Sequence, residues 1–150
     1  MLILPRGQSI RPIDRMPPYP SCVITPRVLA WIALGGILGS LARFTISYLW
    51  NPDHVGGFPF GTLVINVCGC LVIGMVVPVL AGHPREEHLR PFIVSGVLGG
   101  FTTFSAFALE SGVILNDGHF GLAALYIGAT LILGMLAVPI GVRITRRFAR

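Results

Sequence analysis

The sequence predicts an all-α integral membrane fold with four transmembrane helices, the third broken near its centre. Three observations predict it. Four mainly apolar runs, each about the 20 residues that a spanning helix needs, recur along the chain. Charged residues make up only 11% of the 150 while hydrophobic residues make up 53%, whereas a water-soluble domain carries about 25% charged residues to cover its surface. The third run is interrupted by Gly99-Gly100-Phe101-Thr102-Thr103-Phe104-Ser105, where paired glycines and paired β-branched residues disfavour a helix.

The runs cover residues 28–49, 60–80, 92–115 and 120–142. Residues 1–27 differ from them, being broken by Pro5, Pro12, Pro17, Pro18, Pro20 and Pro26 and punctuated by Arg6, Arg11, Arg15 and Arg27. That pattern reads as a disordered basic tail with Met16 as an alternative initiator, and its prolines interrupt any signal-peptide core. Residues 143–150 form a second basic tail, with Arg143, Arg146, Arg147 and Arg150. Small residues four apart (Gly35 and Gly39, Gly96 and Gly100) mark faces where helices approach closely, and imply a compact bundle or a dimer.

Every basic side chain is Arg, and the formal charge is +5. The arginines border apolar runs without interleaved aromatics, so they read as topology signals and not as a nucleic-acid surface. Ten of the eleven fall in the N-terminal tail, the middle connection (Arg85, Arg90) and the C-terminal tail. These share one side of a four-span protein, so both termini are expected in the cytoplasm and the chain in the inner cell membrane.

Cys22, Cys68 and Cys70 form no metal or disulfide pattern. The last two diverge by roughly 200° on a helix. His54, His83, His88 and His119 lie between the runs and read as solvated loop residues.

Polar groups within the runs carry the functional reading. Arg43, deep in run one, admits two roles: snorkelling to the interface, or an electropositive vestibule for anions. Asn66 in run two, with Thr62 one turn earlier, can bridge helices or donate to an anion. In run three an unwound turn would expose carbonyls, which coordinate cations. Phe104 and Phe107 share a helical face. Their electropositive edges can touch an anion without a fixed charge to trap it, or the rings can simply fill space. Glu110 is the one acidic residue inside a run, a functional candidate or an interfacial residue. Tyr126 and Thr130, one turn apart, could extend a hydroxyl track.

Taken together these motifs resemble the Fluc (CrcB) family of fluoride channels. The matching stretches are Gly35-Gly36 through Gly39 to Arg43, Gly61-Thr62-Leu63 with Asn66 and Gly69, and Gly99 through Ser105 with Phe107. The resemblance spans about residues 28–142. It implies an antiparallel dimer with two pores and a structural Na+ held at the interface by the backbone carbonyls of Gly99 and Thr102 from both subunits. It further implies a fluoride pore formed by Asn66, Phe104, Phe107 and Ser105, with a hydroxyl track of Thr62, Tyr126 and Thr130. Ala106 departs from the family, where a hydroxyl is common.

The expected function is passive fluoride export, which lowers fluoride toxicity, and not enzymatic catalysis. A small multidrug-type antiporter is the first alternative, but run one lacks the deep acidic residue such a carrier needs. A non-conducting or partner subunit of a heterodimer is the second. Ten arginines against none suits one-way insertion, so the oppositely oriented partner is expected to be a related chain and not a copy.

Overall fold

The computed structural model describes residues 25–50, 57–81 and 83–148. The tail expected at 1–27 therefore lies outside the described residues up to position 24, as do Cys22, His54 and Arg150.

The first span is α1, Pro26–Trp50. Its N-terminal end uses a proline, which has no N–H to satisfy, and Thr25 Oγ1 accepts the Val28 N–H at 3.3 Å. The second span is α2, Phe60–Leu80. The third runs from Glu86 to Asn116 over 31 residues and is composite. It comprises α3 (Glu86–Arg90), a π-helical run (Pro91–Leu98), a short α4 (Gly99–Phe101), two extended residues, and α5 (Phe104–Asn116). The fourth is α6, Phe120–Phe148. All four are long and apolar enough to cross a membrane. Helix α6 continues past residue 142, carrying Arg143, Arg146 and Arg147 in its last turns, where cations suit the helix C-terminus.

Glycine contacts define two helix pairs. A side chain at Gly39 would overlap the Val97 carbonyl, one at Gly100 would sit 2.6 Å from the Gly36 carbonyl, and one at Gly96 would sit 2.9 Å from the Gly35 Cα. Helix α1 is therefore in backbone contact with the π-helical run and α4. In the same way Gly74 abuts the Val138 carbonyl and Gly141 the Leu71 carbonyl, which joins α2 to α6. Gly35 meets Gly96 and Gly39 meets Phe101, while Cys70 meets Gly134, Gly74 meets Val138 and the Met75 carbonyl accepts from Thr145, so spans one and three run parallel, as do spans two and four. Thr62 pairs with Glu110 and Asn66 with Thr103, so span two runs against span three and successive spans alternate in direction, placing Arg27, Arg85, Arg90 and the arginines of α6 at one end.

The break transfers the third span between these pairs. Before it the chain packs on α1. After it, α5 packs on α6, where Phe107 and Ile114 join Ala123 and Tyr126 in a core flanked by Phe58 and Leu63. Leu34, Ile37, Leu38, Leu41 and Phe44 of α1 remain exposed, as a lipid-facing surface requires.

Candidate functional site

The break lies one step later than the glycine pair suggests. Gly99 is helical, with φ −64° and ψ −36°. The extended residues are Thr102 (φ −76°, ψ 153°) and Thr103 (φ −147°, ψ 119°). The cause is packing. Gly100 serves the close approach of α1, and the β-branched pair, which tolerates extended backbone, takes the unwinding.

Uncoiling two residues deprives the preceding carbonyls of their helical donors. The Thr103 N–H, which would bond the Gly99 carbonyl, instead donates to Asn66 Oδ1 at 2.8 Å. The Ala106 N–H, which would bond the Thr102 carbonyl, donates to Thr103 Oγ1 at 3.2 Å, so Thr103 caps α5. The Gly100 carbonyl is rescued by Arg43 Nε at 3.1 Å, and the Thr103 carbonyl by Asn66 Nδ2 at 3.0 Å. The carbonyls of Gly99, Phe101 and Thr102 gain no donor among the described residues. Backbone acceptors at membrane depth need a partner, and hard cations take oxygen ligands. The Gly99, Phe101 and Thr102 carbonyls are therefore oxygen atoms of the kind that could hold a hard cation.

Asn66, Gly99, Thr102, Thr103, Phe104, Phe107 and Thr130 line one groove of about 450 Å³. Most of the expected site thus converges there. The Phe104 and Phe107 ring centroids lie 5.5 Å apart. Phe107 is buried against Tyr126 at 5.4 Å, whereas Phe104 is 76% exposed. Ser105 is exposed beside it, with its hydroxyl 3.1 Å from that of Thr103. Thr130 Oγ1 donates to the Tyr126 carbonyl at 2.8 Å, leaving its lone pairs, and not its proton, for the groove.

Thr62 and Tyr126 belong to a second cluster. Thr62 Oγ1 donates to Glu110 Oε1 at 2.7 Å, and Tyr126 Oη donates to Glu110 Oε2 at 2.6 Å. Glu110 is thereby placed among polar partners at a helix junction. The cluster borders the groove through the Phe107–Tyr126 ring contact.

Sequence reasoning assigned no role to Thr103. The available signal was a hydroxyl residue just before a helical apolar segment, the pattern of an N-cap. Arg43 neither lines the groove nor stands free: its Nε is bound to the broken backbone. Asn66 likewise bridges helices, with both ends of its amide engaged by Thr103.

Four parallel-paired spans and a broken third helix beside a groove lined by Asn66, threonines and phenylalanines define a small polytopic membrane protein. Residues 30–142 match the model of the CrcB-like protein, Camphor Resistance (CrcB) family, and the chain belongs to that family. It is 43% identical over 115 residues to the fluoride-specific ion channel FluC of Paracoccus denitrificans, covering 77% of this chain and 91% of that one. It is 43% identical over 119 residues to the FluC protein of Acidobacterium capsulatum, covering 78% and 94% respectively. To FluC 1 of Streptomyces coelicolor it is 41% identical over 121 residues, covering 80% and 78%.

Proposed function

We propose that this chain forms a fluoride-specific channel that lets F− leave the cytoplasm passively and so lowers fluoride toxicity. The observation that carries the reading is the placing of Asn66, Thr103, Phe104 and Phe107 around one groove at the break. Fluoride is small and strongly hydrated, so a path for it must replace water with donors. Neutral donors such as ring edges, an amide and hydroxyls do this without the deep well that a fixed cation would create. The membrane potential, negative inside, then drives the anion outward.

The groove and the exposed Phe104 ring suit coverage by a second subunit. In an antiparallel dimer two such faces would meet at the break. The Gly99 and Thr102 carbonyls of both subunits would hold a structural Na+, which supplies a fixed charge joining the halves. Tyr126, Thr130, Thr62 and Ser105 extend the polar path. The protein sits in the inner membrane with both termini in the cytoplasm. Helix α1 contains no acidic residue, which tells against a proton-coupled antiporter.

A second reading is favoured by the arginine distribution. One-way insertion excludes an antiparallel homodimer, and the chain would then work with a related, oppositely oriented subunit. The test is reconstitution of this chain alone, with fluoride efflux read by electrode and terminal tags probed from both sides. Fluoride-selective efflux supports the channel. Efflux with tags on both faces rules out the heteromer. No efflux from this chain, either alone or with an oppositely biased subunit, rules out the channel.

A further inference from the structure

We infer that Arg43 is a positioning residue for the cation-binding carbonyls of the break, and not a charge placed to attract anions. The inference rests on the reading of Gly99 and Thr102 as cation ligands.

Arg43 is half-buried. Its Nε donates to the Gly100 carbonyl at 3.1 Å across 57 residues of sequence. That carbonyl would take the Phe104 N–H if the helix were continuous, but the extended Thr102 and Thr103 carry that N–H away. Helical side chains lean toward their own N-terminus, so Arg43 reaches back along α1 toward the level of Gly39 and Ser40. There α1 lies close to Gly100, whose added Cβ would be 2.6 Å from the Gly36 carbonyl and 3.1 Å from Ser40 Oγ.

Consecutive glycines are the loosest backbone a chain can offer. At Gly99-Gly100 that looseness sits where carbonyl directions matter, because the Gly99, Phe101 and Thr102 carbonyls have no donor within the described residues. Peptide units are rigid planes. Tying the Gly100 carbonyl to α1 fixes the plane between Gly100 and Phe101, and so limits where the flanking carbonyls can point. A planar guanidinium suits this, because its donors are held in a fixed fork.

The two roles predict opposite signs. A bare positive charge near a cation site repels the cation, so removing it would tighten cation binding. A brace organises the ligands, so removing it would weaken cation binding. The experiment follows thermal unfolding of the purified full chain, in the assembly that it forms, against Na+ concentration. N-methylglucamine replaces Na+ at constant ionic strength, and fluoride is absent.

The wild type is expected to gain stability with Na+. Arg43→Ala is expected to need about tenfold more Na+ for an equal gain over its own Na+-free midpoint, the size of one hydrogen bond involving a charged group. Arg43→Gln provides the same reading should the alanine variant fail to fold. An unchanged or lower Na+ requirement for an equal gain in the variants overturns the inference, even if they melt at lower temperature throughout, because a merely structural residue would do that. A wild type indifferent to Na+ overturns the cation reading itself, and the Arg43 inference with it.

Discussion

Asn66 and Thr103 exchange two hydrogen bonds: the amide Nδ2 donates to the Thr103 carbonyl at 3.0 Å, and the Thr103 N–H donates to the amide Oδ1 at 2.8 Å. One side chain thus replaces both helical partners that Thr103 lost, and it locks the amide in one orientation. Leaving a buried polar group unpaired costs about 1–3 kcal/mol. Asn66→Leu strands both backbone groups, so it should lower the unfolding midpoint in detergent and abolish fluoride efflux. Asn66→Asp keeps the acceptor but sets a carboxylate against the Thr103 carbonyl and any passing anion. It should lose efflux more completely than it loses stability. Wild-type efflux in Asn66→Asp would remove Asn66 from the pathway.

The two phenylalanines should separate stability from conduction. Phe107 is 8% exposed and touches Tyr126, so Phe107→Leu should cost up to about 1.5 kcal/mol and reduce efflux. Phe104 is 76% exposed, so within one subunit Phe104→Leu removes little packing. Its effect should fall on fluoride efflux, with the secondary-structure signal and monodisperse elution retained. If efflux survives in both variants, the ring edges do not serve the anion.

Much of this site was legible in the sequence because membrane segments punish polar residues. Asn66, Arg43 and Glu110 stand out against leucine and valine, and each proves to be engaged. What each engages was not legible. Asn66 bonds a backbone 37 residues away, and Arg43 one 57 away, and backbone groups carry no sequence signature. The glycine pair reads equally well as a hinge or as a packing notch. The structure makes it a notch and moves the hinge onto the threonines. The π-helical run before it left no mark in the pattern, because its apolar residues suit either helical period.

The notches themselves can be tested. A methyl group at Gly39 would collide with the Val97 carbonyl, whereas one at Gly128 would meet nothing within 4 Å. Gly39→Ala should therefore force α1 off the third span, with a cost of about 1–3 kcal/mol for overpacking and disturbance of the Arg43–Gly100 bond. Gly128→Ala should be neutral or slightly stabilising within a subunit, since alanine is the better helix former by about 1 kcal/mol. Comparing their unfolding midpoints checks this. Equal midpoints would show that α1 has room to shift.

Glu110 collects two hydroxyl protons, from Thr62 at 2.7 Å and Tyr126 at 2.6 Å. A carboxylate at this depth needs both, since hydrogen bonds to charged groups contribute about 1.5–3 kcal/mol each. Thr62→Val and Tyr126→Phe each remove one donor, and both act through the same carboxylate. Their effects on unfolding should therefore be non-additive by about 0.5 kcal/mol or more, and the coupling should shrink when both are made on a Glu110→Gln background. An anion leaving the groove can use either hydroxyl only by taking over the single proton that it now gives to Glu110. Tyr126→Phe should accordingly cut fluoride efflux by about tenfold, one donor's worth. Additive unfolding effects with unchanged efflux would make the cluster a structural tie between α2, α5 and α6 and end the fluoride path at Phe107.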